Sequence, residues 1–324
     1  MADPPLLSVH DLTVAFDTRR GTFEAVRGVS FDVQPGRTLG VVGESGSGKS
    51  VTAMALMRLL PDAAEVTAGT VQFAGRDLGR LSERDMQSVR GREIAMVFQD
   101  PMASLNPIFT IGRQLTEALR LQLGLSRAAA KARAEELLAL VRIPSPRDIL
   151  RAYPHELSGG MRQRVMIAIA LSCGPRLLIA DEPTTALDVT TQAQILELLR
   201  DLQASLHMAV LLITHDLGVI AEFADDVMVM YAGRAVERSP VAALFEKPRH
   251  PYTEGLLRSM PPLDGEDPEV LPAIDGNVAS PFELPPGCSF HPRCPYAWDA
   301  CRQQSPALAR LADSHDAACL RVTC

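Results

Sequence analysis

Between Gly43 and Ser50 the chain reads GESGSGKS, a glycine-rich run closed by Lys-Ser. Such a run can cradle phosphate, because glycines let consecutive backbone N–H groups wrap closely around anionic oxygens. Lys49 is spaced to reach the β- and γ-phosphates of a nucleoside triphosphate, and the Ser50 hydroxyl to hold Mg²⁺. The candidate nucleotide ligands are therefore Gly43, Ser45, Gly46, Ser47, Gly48, Lys49, Ser50 and Val51. A second set is sulfur. Cys288, Cys294, Cys301 and Cys319 have five, six and seventeen residues between successive members, with Cys324 at the end. Structural zinc usually shows tighter pairs, so these gaps suit an iron–sulfur cluster better, with zinc or bare thiols as the alternatives. Cys173 stands alone in an apolar stretch and reads as a core residue.

The phosphate loop needs a strand before it and a helix after it, and both are present. TLGVVG is a short apolar strand, and VTAMALMRLL has helical spacing. Upstream, LLSVHDLTVAF and AVRGVSFDV alternate as strands, the second ending at the turn QPGR; GTVQFAGRDL is one more strand and turn. From about Arg84 the character changes. TIGRQLTEALRLQLG and RAAAKARAEELLALVRI are amphipathic helices with Leu115, Leu119, Leu137, Leu138 and Val141 on apolar faces, a helical insertion placed at about 101–160. RLLIADEP and MAVLLITHD then read as buried parallel strands joined by the helix QAQILELLRDLQASL, a βαβ unit. After Arg249 the composition shifts, and SMPPLDGEDPEVLPAIDGNVASPFELPPG, rich in Pro, Asp and Gly, reads as an extended linker leading to the cysteine-bearing end.

The composition narrows the function. A chain of 324 residues that is 47% hydrophobic supports one large domain and something smaller. Its net charge of −7 excludes a global basic field for nucleic acid. The N-terminus MADPPLLSVHDLTV is acidic and lacks the pattern of a targeting segment, and the longest apolar runs fall short of a membrane span. The expectation is a cytosolic chain that partners hold at a membrane.

LSGGMRQR, Leu157 to Arg164, resembles the signature of ATP-binding cassette (ABC) ATPases, and with the phosphate loop it identifies the chain as a member of that family from about Leu7 onward. The resemblance implies an α/β fold: a P-loop NTPase cassette with a RecA-like core, an antiparallel β subdomain, a helical insertion and a small cysteine-containing C-terminal extension. It implies that Asp181 in LLIADEP holds Mg²⁺ and that Glu182 is the general base toward water. Gln99 in VFQDP resembles the glutamine that touches Mg²⁺ or the water. His215 in LLITHD resembles the switch histidine at the γ-phosphate. Ala186, Leu187 and Asp188 match the loop that crosses the dimer interface, with Thr185 where the family more often has Ser. An aromatic ring should stack on adenine: Phe16 is the candidate, Phe23 its rival, and core packing of both the alternative. Ser158, Gly159 and Gly160 open a helix and offer N–H groups to the ATP of an opposite subunit. One copy of each motif implies a dimer.

GESGSGKS, VFQDPMASLNP, KPRHPYTEGLLRSMP and GCSFHPRCPYAWDAC are similar to the dipeptide and oligopeptide permease branch. That implies an ATPase domain at 1–250 and an extension at 251–324. It also implies a second, identical or paralogous ATPase, two transmembrane permease subunits and an extracytoplasmic peptide-binding protein. The place is the cytoplasmic face of the cell membrane. Cofactors are ATP, Mg²⁺ and a [4Fe–4S] cluster on Cys288, Cys294, Cys301 and Cys319. Distance in sequence from the ATP motifs gives the cysteine module a structural role, with redox sensing as the alternative. Import of nickel or another small solute, a soluble non-transport ABC ATPase, and an ATP binder without turnover are the competing readings.

Overall fold

The computed structural model describes residues 4–185, 187–260, 273–311 and 314–323. Strands are β1 (Leu7–Thr18), β2 (Gly21–Val33), β3 (Thr38–Val42), β4 (Ala64–Phe73), β5 (Arg76–Asp77), β6 (Ile94–Val97), β7 (Leu177–Asp181), β8 (Ala209–Thr214), β9 (Asp226–Tyr231), β10 (Arg234–Pro240), β11 (Ala309–Arg310) and β12 (Asp316–Ala317). Helices are α1 (Lys49–Leu56), α2 (Glu83–Val89), α3 (Pro101–Ser104), α4 (Ile111–Leu123), α5 (Arg127–Leu140), α6 (Pro146–Ile149), α7 (Gly159–Ala170), α8 (Val189–Leu206), α9 (Leu217–Phe223), α10 (Val241–Glu246), α11 (Pro251–Arg258), α12 (Asp299–Gln303) and α13 (Leu320–Thr323). No helix among the described residues is long and apolar enough to cross a membrane.

The chain divides into two compact units. One holds Gln34–Arg37 and Arg80–Leu212; the other holds Pro5–Val33, Thr38–Gly79 and Ile213–Cys324. In the first, β6 and β7 run parallel, and every residue of β7 is buried, as strands covered on both faces require. The helical insertion lies in this unit. Thr110 caps α4 by accepting from the Arg113 N–H, and Gly124 in the left-handed region ends it; Ser126 caps α5 through the Ala129 N–H. Leu115, Leu119, Leu137, Leu138 and Val141 are all fully buried, as the helical spacing predicts. Each such side chain contributes about 1.5–3 kcal/mol on leaving water.

In the second unit a four-stranded antiparallel sheet runs in the order β2-β1-β4-β5. Its alternation buries Leu7, Val9, Leu12, Val14, Phe31 and Phe73. Parallel β3 and β9, followed antiparallel by β10, β12 and β11, form the other layer of strands. The cysteine-bearing end thus adds two short strands to a sheet that begins beside the phosphate loop. β9 and β10, from the run VMVMYAGRAVERS, are elements that the sequence reading did not resolve.

Candidate nucleotide-binding and catalytic site

The phosphate loop lies between β3 and α1, as its sequence requires. Gly43 has φ +154°, and a Cβ there would sit 2.2 Å from the Met230 carbonyl oxygen. Gly48 has φ +101° and would meet the Ala25 carbonyl at 2.5 Å. Only glycine satisfies both conformation and space at these two positions. Ser47 and Lys49 are buried, Ser45 and Gly46 are exposed, and Ser50 and Val51 are half-buried on the first turn of α1. Lys49 Nζ donates to the carbonyls of Gly43 (2.7 Å) and Glu44 (3.1 Å). The ammonium is held inside the curve of the loop that has to cradle phosphate.

The two aromatic candidates are neighbours. Phe16 and Phe23 are register partners across β1 and β2, with centroids 5.4 Å apart and planes within 7°. One face of Phe16 is therefore taken by Phe23. Phe282, from beyond residue 250, leans on Phe23 at 4.7 Å and 59°. The sequence carried no signal for Phe282.

In the other unit, Asp181 is the buried last residue of β7, and Glu182 follows in the left-handed region at φ +46°. A non-glycine residue there carries strain of about 1–3 kcal/mol, the kind kept where a side chain must be aimed. The Glu182 carboxylate oxygen Oε2 accepts from Gln99 Nε2 at 2.9 Å and from Thr185 Oγ1 at 2.9 Å. The structure thus joins two predicted residues and adds Thr185, noted in the sequence as a departure from the usual Ser. His215, which belongs to the unit of the phosphate loop, is exposed immediately after β8. The next residue, Asp216, caps α9 through the N–H groups of Gly218 and Val219.

Ser158 caps α7, accepting from the Met161 N–H, and Gly159 with it is exposed. A Cβ on Gly160 would meet Thr191 Cγ2 at 2.7 Å, and one on Gly159 would meet Leu187 at 3.5 Å. The signature turn therefore packs on the segment expected at a dimer interface. Ala186 lies outside the described residues. Asp188 caps α8 by accepting from the Thr191 N–H and Oγ1, and these bonds hold its pKa below the ordinary carboxylate value. The next residue, Val189, is 85% exposed, a large apolar side chain beside a helix start.

Cys288, Cys294, Cys301 and Cys319 line one pocket with Phe290, Trp298 and Leu320, and no carboxylate lines it among the described residues. Burial pushes the thiols of Cys288, Cys294 and Cys319 up from their ordinary pKa. The five described cysteines form no disulfide. Among the described residues, no three His, Cys, Asp or Glu side chains are grouped so as to hold a metal ion. The pocket nonetheless collects all four thiols expected as ligands. Burial favours the neutral thiol over the thiolate that binds metal. Cys324 lies outside the described residues, and Cys173 is half-buried beside Ser172.

The module is not remote from the ATP loop, as its sequence distance suggested. Arg293 makes a two-pronged ion pair with Glu44, and the Tyr252 hydroxyl accepts from the Glu44 N–H. Neither residue has a local pattern that sequence reasoning could have used.

Against known families, residues 26–185 match the model described as ABC transporter, and residues 236–301 match that described as the C-terminal region of oligopeptide/dipeptide transporters. The dipeptide transport ATP-binding protein DppD of Escherichia coli is 50% identical over 97% of this chain and 96% of its own length. DppD of Bacillus subtilis is 51% identical over 97% and 94%. A solved ATP-binding cassette, a dimer in a post-hydrolysis state bound to ADP and Pi, matches with a TM-score of 0.66 and 26% identity, covering 72% of this chain and 98% of that one. A protein of Clostridium perfringens that is part of an ABC transporter complex matches at 0.65 and 25%, covering 76% and 92%.

Proposed function

This chain belongs to the ABC transporter family, in its oligopeptide and dipeptide branch, and we propose from that premise how its residues divide the work of an ATPase that energises peptide import. Gly43 and Ser45 to Val51 hold the phosphates, and Phe16 stacks on adenine with Phe23 behind it. Glu182 takes the proton of the attacking water, and Gln99 and Thr185 aim its carboxylate. His215 contacts the γ-phosphate. Ser158, Gly159 and Gly160, with Asp188 beside them, complete the nucleotide site of a partner ATPase. Turnover is assigned to 1–250 and the extension to 251–324.

Mg²⁺ in phosphoryl-transfer sites is held by few protein oxygens together with the phosphates. Ser50, Asp181 and Gln99 fit that donor chemistry and would hold it; its charge would neutralise the phosphate oxygens. What the chain itself supplies is positioning: the loop glycines and Lys49 fix the phosphates, and the Glu182 carboxylate takes the proton of the water.

The observation that carries the reading is Glu182, held by Gln99 and Thr185 at the end of a buried strand. The test is reconstitution in vesicles with the cognate permease subunits and the external binding protein. ATP turnover should rise when a dipeptide or oligopeptide is supplied. A rise with nickel instead assigns the solute differently, and no rise with any membrane partner returns the chain to the soluble ATPases.

The cysteine pocket is assigned to a [4Fe–4S] cluster, supported by four thiols lining one pocket with no competing carboxylate among the described residues. Bound there, the cluster would tie four separate points of the extension together. An anaerobic preparation should be brown and should bleach with dithionite. A colourless preparation containing zinc, or no metal, assigns the pocket to zinc or to bare thiols.

A further inference from the structure

Glu44 is the first residue after Gly43 in the phosphate loop, and all three of its polar handles are tied. Its carbonyl accepts from Lys49 at 3.1 Å, inside the loop. Its N–H donates to the Tyr252 hydroxyl at 2.9 Å. Its carboxylate accepts from Arg293 through both prongs, Nη1 at 2.7 Å and Nη2 at 3.0 Å. Two of the three holders come from beyond residue 250, in the region that matches the oligopeptide/dipeptide C-terminal model.

Arg293 is itself held from every side. Its side chain is 5% exposed. Nε donates to the Asp275 carbonyl at 3.0 Å and Nη2 to the Ile274 carbonyl at 3.2 Å. Tyr252 is buried in a cluster with Tyr231 and Phe290. A planar guanidinium satisfied in this way transmits position rather than charge alone. Burial also shields the pair from salt screening.

Arg293 closes the single turn His291–Arg293, between Cys288 and Cys294. The turn is fixed by the Cys288 carbonyl, which accepts from the His291 N–H, and by the His291 carbonyl, which accepts from the Cys294 N–H. Any change in how those two sulfurs are held moves the backbone that carries the guanidinium.

We propose that Arg293 is a positioning residue of the phosphate loop, setting through Glu44 the backbone that Lys49 and the nucleotide share, and that it couples the cysteine pocket to ATP binding. The coupling holds whether the pocket contains a cluster, zinc or thiols. It rests on the reading of Gly43–Ser50 as the ATP loop, which Lys49→Ala tests separately.

The experiment measures nucleotide affinity of the full chain and, in the reconstituted transporter, the KM for ATP and kcat. Arg293→Ala should raise Kd and KM by about tenfold, the scale of one charge-assisted pair, and leave kcat within about twofold. Glu44→Gln should do the same, and the double variant should be no worse than either single one. The exchange of Glu44→Arg with Arg293→Glu should recover part of the loss. Should Arg293→Ala fail to fold, Glu44→Gln reads the same contact from the loop side. An unchanged KM in both single variants, or losses that add in full, overturns the proposal. Loss of binding in Lys49→Ala with none in Glu44→Gln leaves the ATP loop standing and removes the coupling.

Discussion

Glu182 and Glu44 each stand just past the end of a buried strand, and each carboxylate accepts two side-chain hydrogen bonds. Their holders differ in kind. Glu182 is bonded by an amide and a hydroxyl, Gln99 and Thr185, and Thr185 is only three residues further on. Glu44 is bonded by a guanidinium 249 residues away. A two-pronged ion pair fixes a carboxylate in one place, whereas two neutral donors orient it without a charged partner. The contrast separates the carboxylate proposed to react from the one proposed to stay still.

The largest effect that tests this contrast is on turnover. Glu182→Gln removes the proton acceptor and keeps the shape. We expect ATP to bind normally and hydrolysis to slow by about a thousandfold, roughly 4 kcal/mol of barrier. Single-turnover kinetics with a separate binding measurement checks it. Normal turnover would transfer the role of base elsewhere and erase the difference between the two carboxylates.

The next effect tests how firmly the extension side is buried. His250 is 1% exposed, and its Nδ1 accepts from the Tyr252 N–H. Burial lowers its pKa from 6.5 to about 4, opposed in part by the Glu237 carboxylate. The folded chain therefore refuses a proton that the unfolded chain binds between those values. Its contribution is complete above about pH 6.5 and is lost as pH falls toward 4, by about 3 kcal/mol in all. Urea melts from pH 7 to 4 should show that loss, and His250→Phe should flatten it. A wild-type profile already flat would mean that this core opens to water.

The two regions also differ in what the sequence disclosed. The phosphate loop was legible because backbone geometry dictates residue type: Gly43 and Gly48 have no room for a Cβ. The helical insertion was legible because Leu115, Leu119, Leu137 and Leu138 fall at helical spacing and are buried. The grip of Arg293 and Tyr252 on Glu44 was not, because ion pairs between distant segments leave no period or local motif. The composition shift after Arg249 suggested separation, yet α11, which precedes the Pro- and Gly-rich stretch, carries Tyr252 and Thr253 wholly buried. β9 and β10 escaped for another reason: MVMY merges into the turn AGR without the strong alternation that marks a half-exposed strand.

A smaller effect sharpens the account of Glu182. Thr185→Val removes the Oγ1 donor at nearly constant volume and leaves the bond from Gln99. One hydrogen bond to a charged acceptor is worth about 1.5 kcal/mol, so kcat should fall by about tenfold at unchanged ATP affinity. Thr185→Ser keeps the hydroxyl and should stay near wild type. Steady-state kinetics of the pair decides whether the hydroxyl or the methyl matters.

The smallest effect lies on the aromatic side, where the extension again reaches a strand pair of the nucleotide site. As the proposed adenine platform, Phe16 offers one face, since Phe23 lies parallel against the other. Phe23 is in turn braced by Phe282. Removing Phe16 deletes the stacking face itself, whereas Phe282→Ala removes a brace two rings away. An aromatic contact of this kind is worth about 1 kcal/mol, and only part of it passes through the stack. We expect Phe282→Ala to weaken ATP binding by less than about fivefold, to leave kcat unchanged, and to weaken inorganic triphosphate not at all. Equal losses for ATP and triphosphate would mean that the brace acts on the loop rather than on adenine, and the extension's two contacts, Phe282 and Arg293, would then be a single device.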